Sequence, residues 1–114
     1  MPGPTTGQMT GPLQVTLTDD FWAPRQRQLR DHTLDVLRDR FEEHGILDTF
    51  HRLGRPEPRG RRRGLWFSDS DVYKWMEAAA WAGRLDLLDP ILDAVALAAR
   101  AGGYVHTFYD VGPG

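Results

Sequence analysis

The sequence has no cysteine among its 114 residues. That excludes disulfides, thiolate metal sites and a cysteine nucleophile within this chain. No run approaches the ~20 apolar residues of a membrane span. The opening "MPGPTTGQMTGPLQ" lacks both the basic and the apolar region of a secretory leader, so a cytoplasmic protein is the expectation. Positive charge is not in excess either. The formal net charge of −2 gives no overall attraction to nucleic acid or to an anionic membrane, and neither is an expected partner. Strand pattern is also scarce. Only "LQVTLT" alternates, with Leu13, Val15 and Leu17 between Gln14, Thr16 and Thr18, which predicts one short N-terminal strand. A lone strand leaves its ladder groups unpaired and needs a partner that is not evident in this sequence.

What is present is helical. Residues 1–12 are rich in Gly, Pro and Thr and read as a loose tail, leaving 13–114 as a single domain. The stretch from Asp19 to Gly45 reads as a helix over about 23–44. Acidic residues stand at its start, Pro24 suits a first turn, and His44-Gly45 make a stop. Trp22, Leu29, Val36, Leu37 and Phe41 fall on one face at helical spacing. "ILDTFHRL" then leads into "GRPEPRGRRRG". Arg52, Arg55, Arg59, Arg61, Arg62 and Arg63 with interspersed prolines and glycines mark a loop. A second helix is predicted over 70–82, with Val72, Trp75, Met76 and Ala79 as its stripe and Gly83 as its end. A third is predicted over 90–101, with Asp89 as N-cap, Pro90 as first residue and a stripe of Leu88, Ile91, Leu92, Val95 and Ala99. The last two, so briefly joined, should form an αα-hairpin. Ala78, Ala79 and Ala80 facing Ala94, Ala96 and Ala98 would let them approach closely.

The stretch "DSDVYKW" (69–75) carries the functional question. Ser68 and Asp71 have capping-box spacing, so one reading is simply a helix start whose acids complement the macrodipole. The other is that Asp69 and Asp71 face a pocket and accept hydroxyl hydrogens from a polar ligand. Trp66, Phe67 and Tyr73 would then offer the flat apolar surface on which sugars stack, and Lys74 and Arg63 would hold the acids ionised. "LWFSDSDV" also loosely matches an apolar strand followed by the aspartate pair of the haloacid dehalogenase phosphatases. Ser68 interrupts that run, however, and no βαβ alternation surrounds it. The arginine run reads as a solvated loop, given the negative net charge. His32, His44, His51 and His106 show no metal-ligand spacing. Three read as caps or surface residues, while His106, with Tyr104 in the aromatic "GGYVHTFYD", reads as a pocket rim.

The ordered combination of "LTDDFWAPRQ", "DSDVYKWMEAAAW" and "DPILDAVALAARAGGYVHTFY" resembles glycoside hydrolase family 127, which contains the non-reducing-end β-L-arabinofuranosidases. The resemblance covers about residues 13–109. The family pattern "QQPDGYLNTY" stands here as "ARAGGYVHTF". Ala99 and Arg100 replace two glutamines, Ala101 and Gly102 replace Pro-Asp, and His106 replaces an asparagine. The resemblance implies a mainly α fold, the N-terminal helix-hairpin portion of an α/α toroid. It also implies a carbohydrate substrate and retaining hydrolysis through a cysteine nucleophile near a glutamate and a zinc site. Those residues lie downstream of the part matched here, so the resemblance implies no catalytic residue and no metal ligand in this chain, and zinc only in a full-length member. The expectation is an N-terminal piece, inactive alone, with Phe67, Asp69, Asp71, Tyr104 and His106 bordering the sugar pocket. The alternative is a small helical interaction module without catalysis.

Overall fold

The computed structural model describes residues 15–54, 65–99, 103 and 105–107, and the fold is mainly α. α1 (Trp22–Gln28) runs through a π-helical stretch at Leu29–Thr33 into α2 (Leu34–Glu43). α3 (Ile46–Leu53), α4 (Ser68–Trp81) and α5 (Leu85–Ala98) follow.

Asp19 starts the first helix, its carboxylate accepting from the backbone N–H groups of Phe21, Trp22 and Ala23 at 2.6–3.1 Å. Those donors have no carbonyl to bond within the helix, and they hold the Asp19 pKa below the ordinary carboxylate value, the Trp22 bond contributing most. The predicted stop is where expected. His44 is the C-cap and Gly45 takes the left-handed conformation (φ 71°) that disfavours any residue with a Cβ.

The core joins Leu34 of α2, Leu47 and Phe50 of α3, Val72, Trp75 and Ala79 of α4, and Leu87, Ile91, Ala94 and Ala98 of α5. α5 packs on both α3 and α4, and α2 packs on α3 and α4. The α4–α5 pair is the predicted hairpin, turned at Ala82–Arg84 with Gly83 at φ 72°. Ala79, Ala94 and Ala98 make the close approach, Ala78 is half-buried, and Ala80 and Ala96 face out.

Several expectations are corrected. No strand occurs among the described residues; Val15–Thr18 are exposed and irregular, and Leu13 and Gln14 lie outside the described residues. Among the described residues a strand there has nothing to pair with. "ILDTFHRL" is not a lead into the loop but helix α3. Its apolar residues recur at helical spacing, and the Thr49 hydroxyl donates to the Gly45 carbonyl at 2.9 Å. Arg52 therefore belongs to a helix, pairing with Asp48 at 3.0 Å, while Arg55–Arg63 lie outside the described residues.

Asp89 is not an N-cap. α5 begins at Leu85, and Pro90 sits inside it. Leu87 buries a turn earlier than the predicted start, and Arg84 is held there by Asp35 and Asp86. The α5 stripe is accordingly rotated to Leu87, Ile91, Ala94 and Ala98; Leu88 and Val95 are only partly buried and Leu92 is exposed. On α1–α2 the predicted stripe is mostly solvent-facing. Trp22, Leu29, Val36 and Leu37 are exposed, and only Phe41 reaches the core. The i→i+5 bonding at Leu29–Thr33 offsets the α register on either side of it, so a pattern read at 3.6 residues per turn loses phase there.

Candidate functional site

The chain enters α4 through a turn at Trp66–Phe67. Leu65–Phe67 form no strand, and none occurs among the described residues, which removes the context the phosphatase reading requires. The expected capping box does not form. Phe67 is the N-cap residue and no side chain caps the helix. Ser68 is instead buried, its Oγ accepting from the Leu65 N–H at 2.7 Å while its own N–H donates to the Leu65 carbonyl at 3.0 Å. This closes a compact turn that leaves Trp66 and Phe67 exposed, edge-on to each other at 5.5 Å.

The two aspartates do not act as a pair. Two positions apart on a helix, they point to different sides. Asp69 turns inward and is 7% exposed. Its Oδ2 accepts from the Thr107 N–H at 2.7 Å and its Oδ1 from the Thr107 hydroxyl at 2.5 Å, across 38 residues of sequence. Asp71 is half-buried on the other side, with the Lys74 ammonium 3.8 Å away at one α-helical turn. The Tyr73 phenol is shifted above its ordinary pKa, first by burial and then by the Asp69 charge, which marks the first turns of α4 as locally anionic.

The structure thus brings together Phe67, Asp69 and Asp71 in the first turn of α4. It places His106, half-buried, next in the chain to the threonine that Asp69 holds. Tyr104 lies outside the described residues, as does Arg63. His32, His44 and His51 are exposed on helices, as their sequence context suggests. Thr107 was not expected to matter. It is fully buried, and a small hydroxyl residue among larger aromatic ones was the signal available for it.

A separate cleft of about 410 Å³ opens between α2, α3 and α5. Trp75, Leu47 and Ile91 form its floor, and Arg38, Glu42, His51 and Asp86 stand around it. None of the sequence-predicted site residues lines it. Among the described residues no group of three or more His, Asp or Glu side chains is placed to hold a metal ion, and the sequence has no cysteine. The donor set therefore does not fit a zinc site built from this chain's described residues. No described helix is long and apolar enough to cross a membrane.

The comparisons with known proteins follow this geometry. The family described as beta-L-arabinofuranosidase, GH127 catalytic domain, matches residues 14–113. A curated non-reducing end beta-L-arabinofuranosidase of Bifidobacterium longum subsp. longum is 32% identical over 116 aligned positions, covering 95% of this chain. The chain spans 15% of that relative's length. No solved structure matches significantly. The match over nearly the whole sequence, on a mainly helical fold, shows that this chain belongs to the glycoside hydrolase family 127 catalytic domains.

Proposed function

We propose that this chain is the N-terminal portion of a glycoside hydrolase that releases terminal L-arabinofuranose with retention of configuration. The observation that carries the reading is the family match across residues 14–113. In this reading the first turn of α4 and the segment at Val105–Thr107 form one wall of the sugar pocket, which belongs to an α/α toroid completed by residues not in this sequence. Phe67 offers an exposed ring for stacking on a sugar face, and Asp71 offers a carboxylate that accepts hydroxyl hydrogens. His106 offers a group that both donates and accepts, and Tyr104 completes the set. The nucleophile, the acid and any zinc ligands would lie beyond this chain, and no chemical step is assigned to its own residues.

The isolated chain is accordingly expected to be inactive, since loss of a nucleophile costs many orders of magnitude in rate. The test is release of 4-nitrophenol from 4-nitrophenyl β-L-arabinofuranoside. It would be run on the isolated chain and on a chimera in which these residues replace the matching segment of the Bifidobacterium longum relative. Turnover by the chimera alone is expected. A folded but inactive chimera would favour an interaction module over an enzyme part. Turnover by the isolated chain would refute its dependence on downstream residues.

A further inference from the structure

We propose that Asp69 is a positioning residue, its carboxylate latching Thr107 so that His106 is fixed beside the first turn of α4 as a sugar-contacting group. This rests on the reading of that region as one wall of a sugar pocket.

Geometry separates this role from the two more familiar ones. Asp69 is not the N-cap of its helix: that position is Phe67, whose side chain makes no cap bond. It is also poorly placed to receive a ligand, being 7% exposed with both oxygens engaged by Thr107. What it does is hold one distant residue at two points, the backbone N–H and the side-chain hydroxyl. Hydrogen bonds to an ionised carboxylate are about twice as strong as neutral ones, and a position in the first turn of a helix favours the negative charge. Thr107 is fully buried, and Val105 on the other side of His106 packs against the core. His106 is therefore anchored through both neighbours. Its Cα lies one peptide unit, about 3.8 Å, from that of Thr107, which keeps His106 close to the first turn of α4.

A latch of this kind suits a sugar site. Hydroxyl recognition depends on donors and acceptors held within a few tenths of an ångström, and a two-point hydrogen bond to a buried carboxylate supplies such a hold. Arranging the carboxylate behind the wall, with the imidazole in front, separates the group that sets position from the group that touches ligand.

The experiment uses the 114-residue chain, with the imidazole signals of the four histidines followed by proton–carbon NMR. Thr107→Val keeps the shape and the N–H bond but loses the hydroxyl bond; Thr107→Ser keeps both; Asp69→Asn replaces one acceptor by a donor. The valine and asparagine variants are expected to move the His106 signals and leave those of His32, His44 and His51 in place, while the serine variant moves none. Titration with methyl β-L-arabinofuranoside is run on the chimera with the Bifidobacterium longum relative, in which the pocket is complete; it is expected to shift His106 in the unsubstituted chimera and in its Thr107→Ser form, and to need about tenfold more sugar in Thr107→Val. A merely structural bond would not give that rescue pattern at one imidazole. Unmoved His106 signals in Thr107→Val and Asp69→Asn would overturn the latch. Variant-sensitive signals with no sugar-dependent shift in any protein would overturn the sugar-pocket reading and His106's part in it, while leaving the latch standing. Circular dichroism checks folding. If Thr107→Val unfolds, amide exchange at Thr107 of the parent decides, slow exchange supporting the latch and exchange at the unfolded-chain rate overturning it.

Discussion

Replacing Trp75 by phenylalanine tests the packing that holds α4, and with it the candidate site, in place. Trp75 is 3% exposed. Its indole Nε1–H donates to the Leu34 carbonyl at 3.0 Å, a buried bond joining residues 41 apart in sequence. Its ring meets Phe41 edge to face at 6.2 Å, and its other side floors the cleft toward Leu47 and Ile91. Phenylalanine keeps most of the apolar contact but deletes the donor and part of the ring. Leaving a buried carbonyl without that partner costs about 1–3 kcal/mol. The missing ring atoms add a cavity term below the ~3–5 kcal/mol of a full truncation to alanine. Together these give about 2–4 kcal/mol, a large share of the ~5–15 kcal/mol that holds an ordinary domain.

The assay is urea unfolding followed by far-ultraviolet circular dichroism, with tryptophan emission recorded in parallel. Trp22, Trp66 and Trp81 are all exposed, so Trp75 supplies the blue-shifted part of the parent emission. The variant should lose that component and unfold at lower urea with an unchanged slope. A loss under about 1 kcal/mol, or emission that keeps its blue-shifted component, would refute the burial and the hydrogen bond on which this reasoning stands.

Phe21, Trp22, Val36, Trp66, Trp81 and Leu97 are exposed, so the isolated chain should bind ANS before it unfolds. A monomer that binds no dye would refute this. Arg84 hydrogen-bonds to Asp86 and Asp35 and holds both carboxyls below their ordinary range. Because the unfolded carboxyls take up protons first as the pH falls, at about 3.9, this stabilisation is fully present above that pH and is lost as the pH drops through the lower folded values. Arg84→Met should therefore lower stability at neutral pH and flatten the acid limb of a stability–pH curve, and an unchanged limb would count against the network. Pro90 lacks the N–H that would bond the Asp86 carbonyl inside α5, so Pro90→Ala is expected to raise the unfolding free energy by about 1–2 kcal/mol in urea, after allowing for the looser unfolded chain. A destabilised alanine variant would mean that the ring's packing at the cleft outweighs the missing bond.

The helices around Val72 and Ile91 were legible because one-sided burial writes a period into the sequence. The ends of α2 before Gly45 and of α4 before Gly83 were legible because only glycine tolerates those backbone angles easily. The failures have equally local causes. Pro90 has the signature of a first helical residue, but the apolar contact of Leu87 and the anchoring of Arg84 by Asp35 extend the helix past it. That anchor reaches 49 positions along the chain, where no window of local pattern extends. α3 was lost because proline and arginine immediately after it dominate the composition, although Leu47, Phe50 and Leu53 carry the helical period. The α1–α2 stripe failed because α1 makes no substantial packing on α3, α4 or α5, so its apolar residues stay exposed, and a π stretch offsets the register between its two halves.

The candidate site shows the same division more sharply. "DSD" looks like a carboxylate pair because two acids lie two residues apart, a spacing that would align them on a strand. On a helix the same spacing separates them, so the meaning of the motif depends on the secondary structure beneath it. Asp69 then finds its partner not in Asp71 but in Thr107, and Asp71 pairs with the solvent-facing Lys74. A buried acid held by a distant hydroxyl and a half-buried acid on another side of the helix are different instruments. The first fixes geometry, and the second remains available to a ligand. If the chain forms one wall of a sugar pocket, its specificity should therefore respond most to Asp71, Phe67 and His106. The stability of that wall should respond most to Asp69 and Thr107. Substitution at Asp69 that weakened sugar binding as an exposed contact does, with the His106 signals unmoved, would contradict that division.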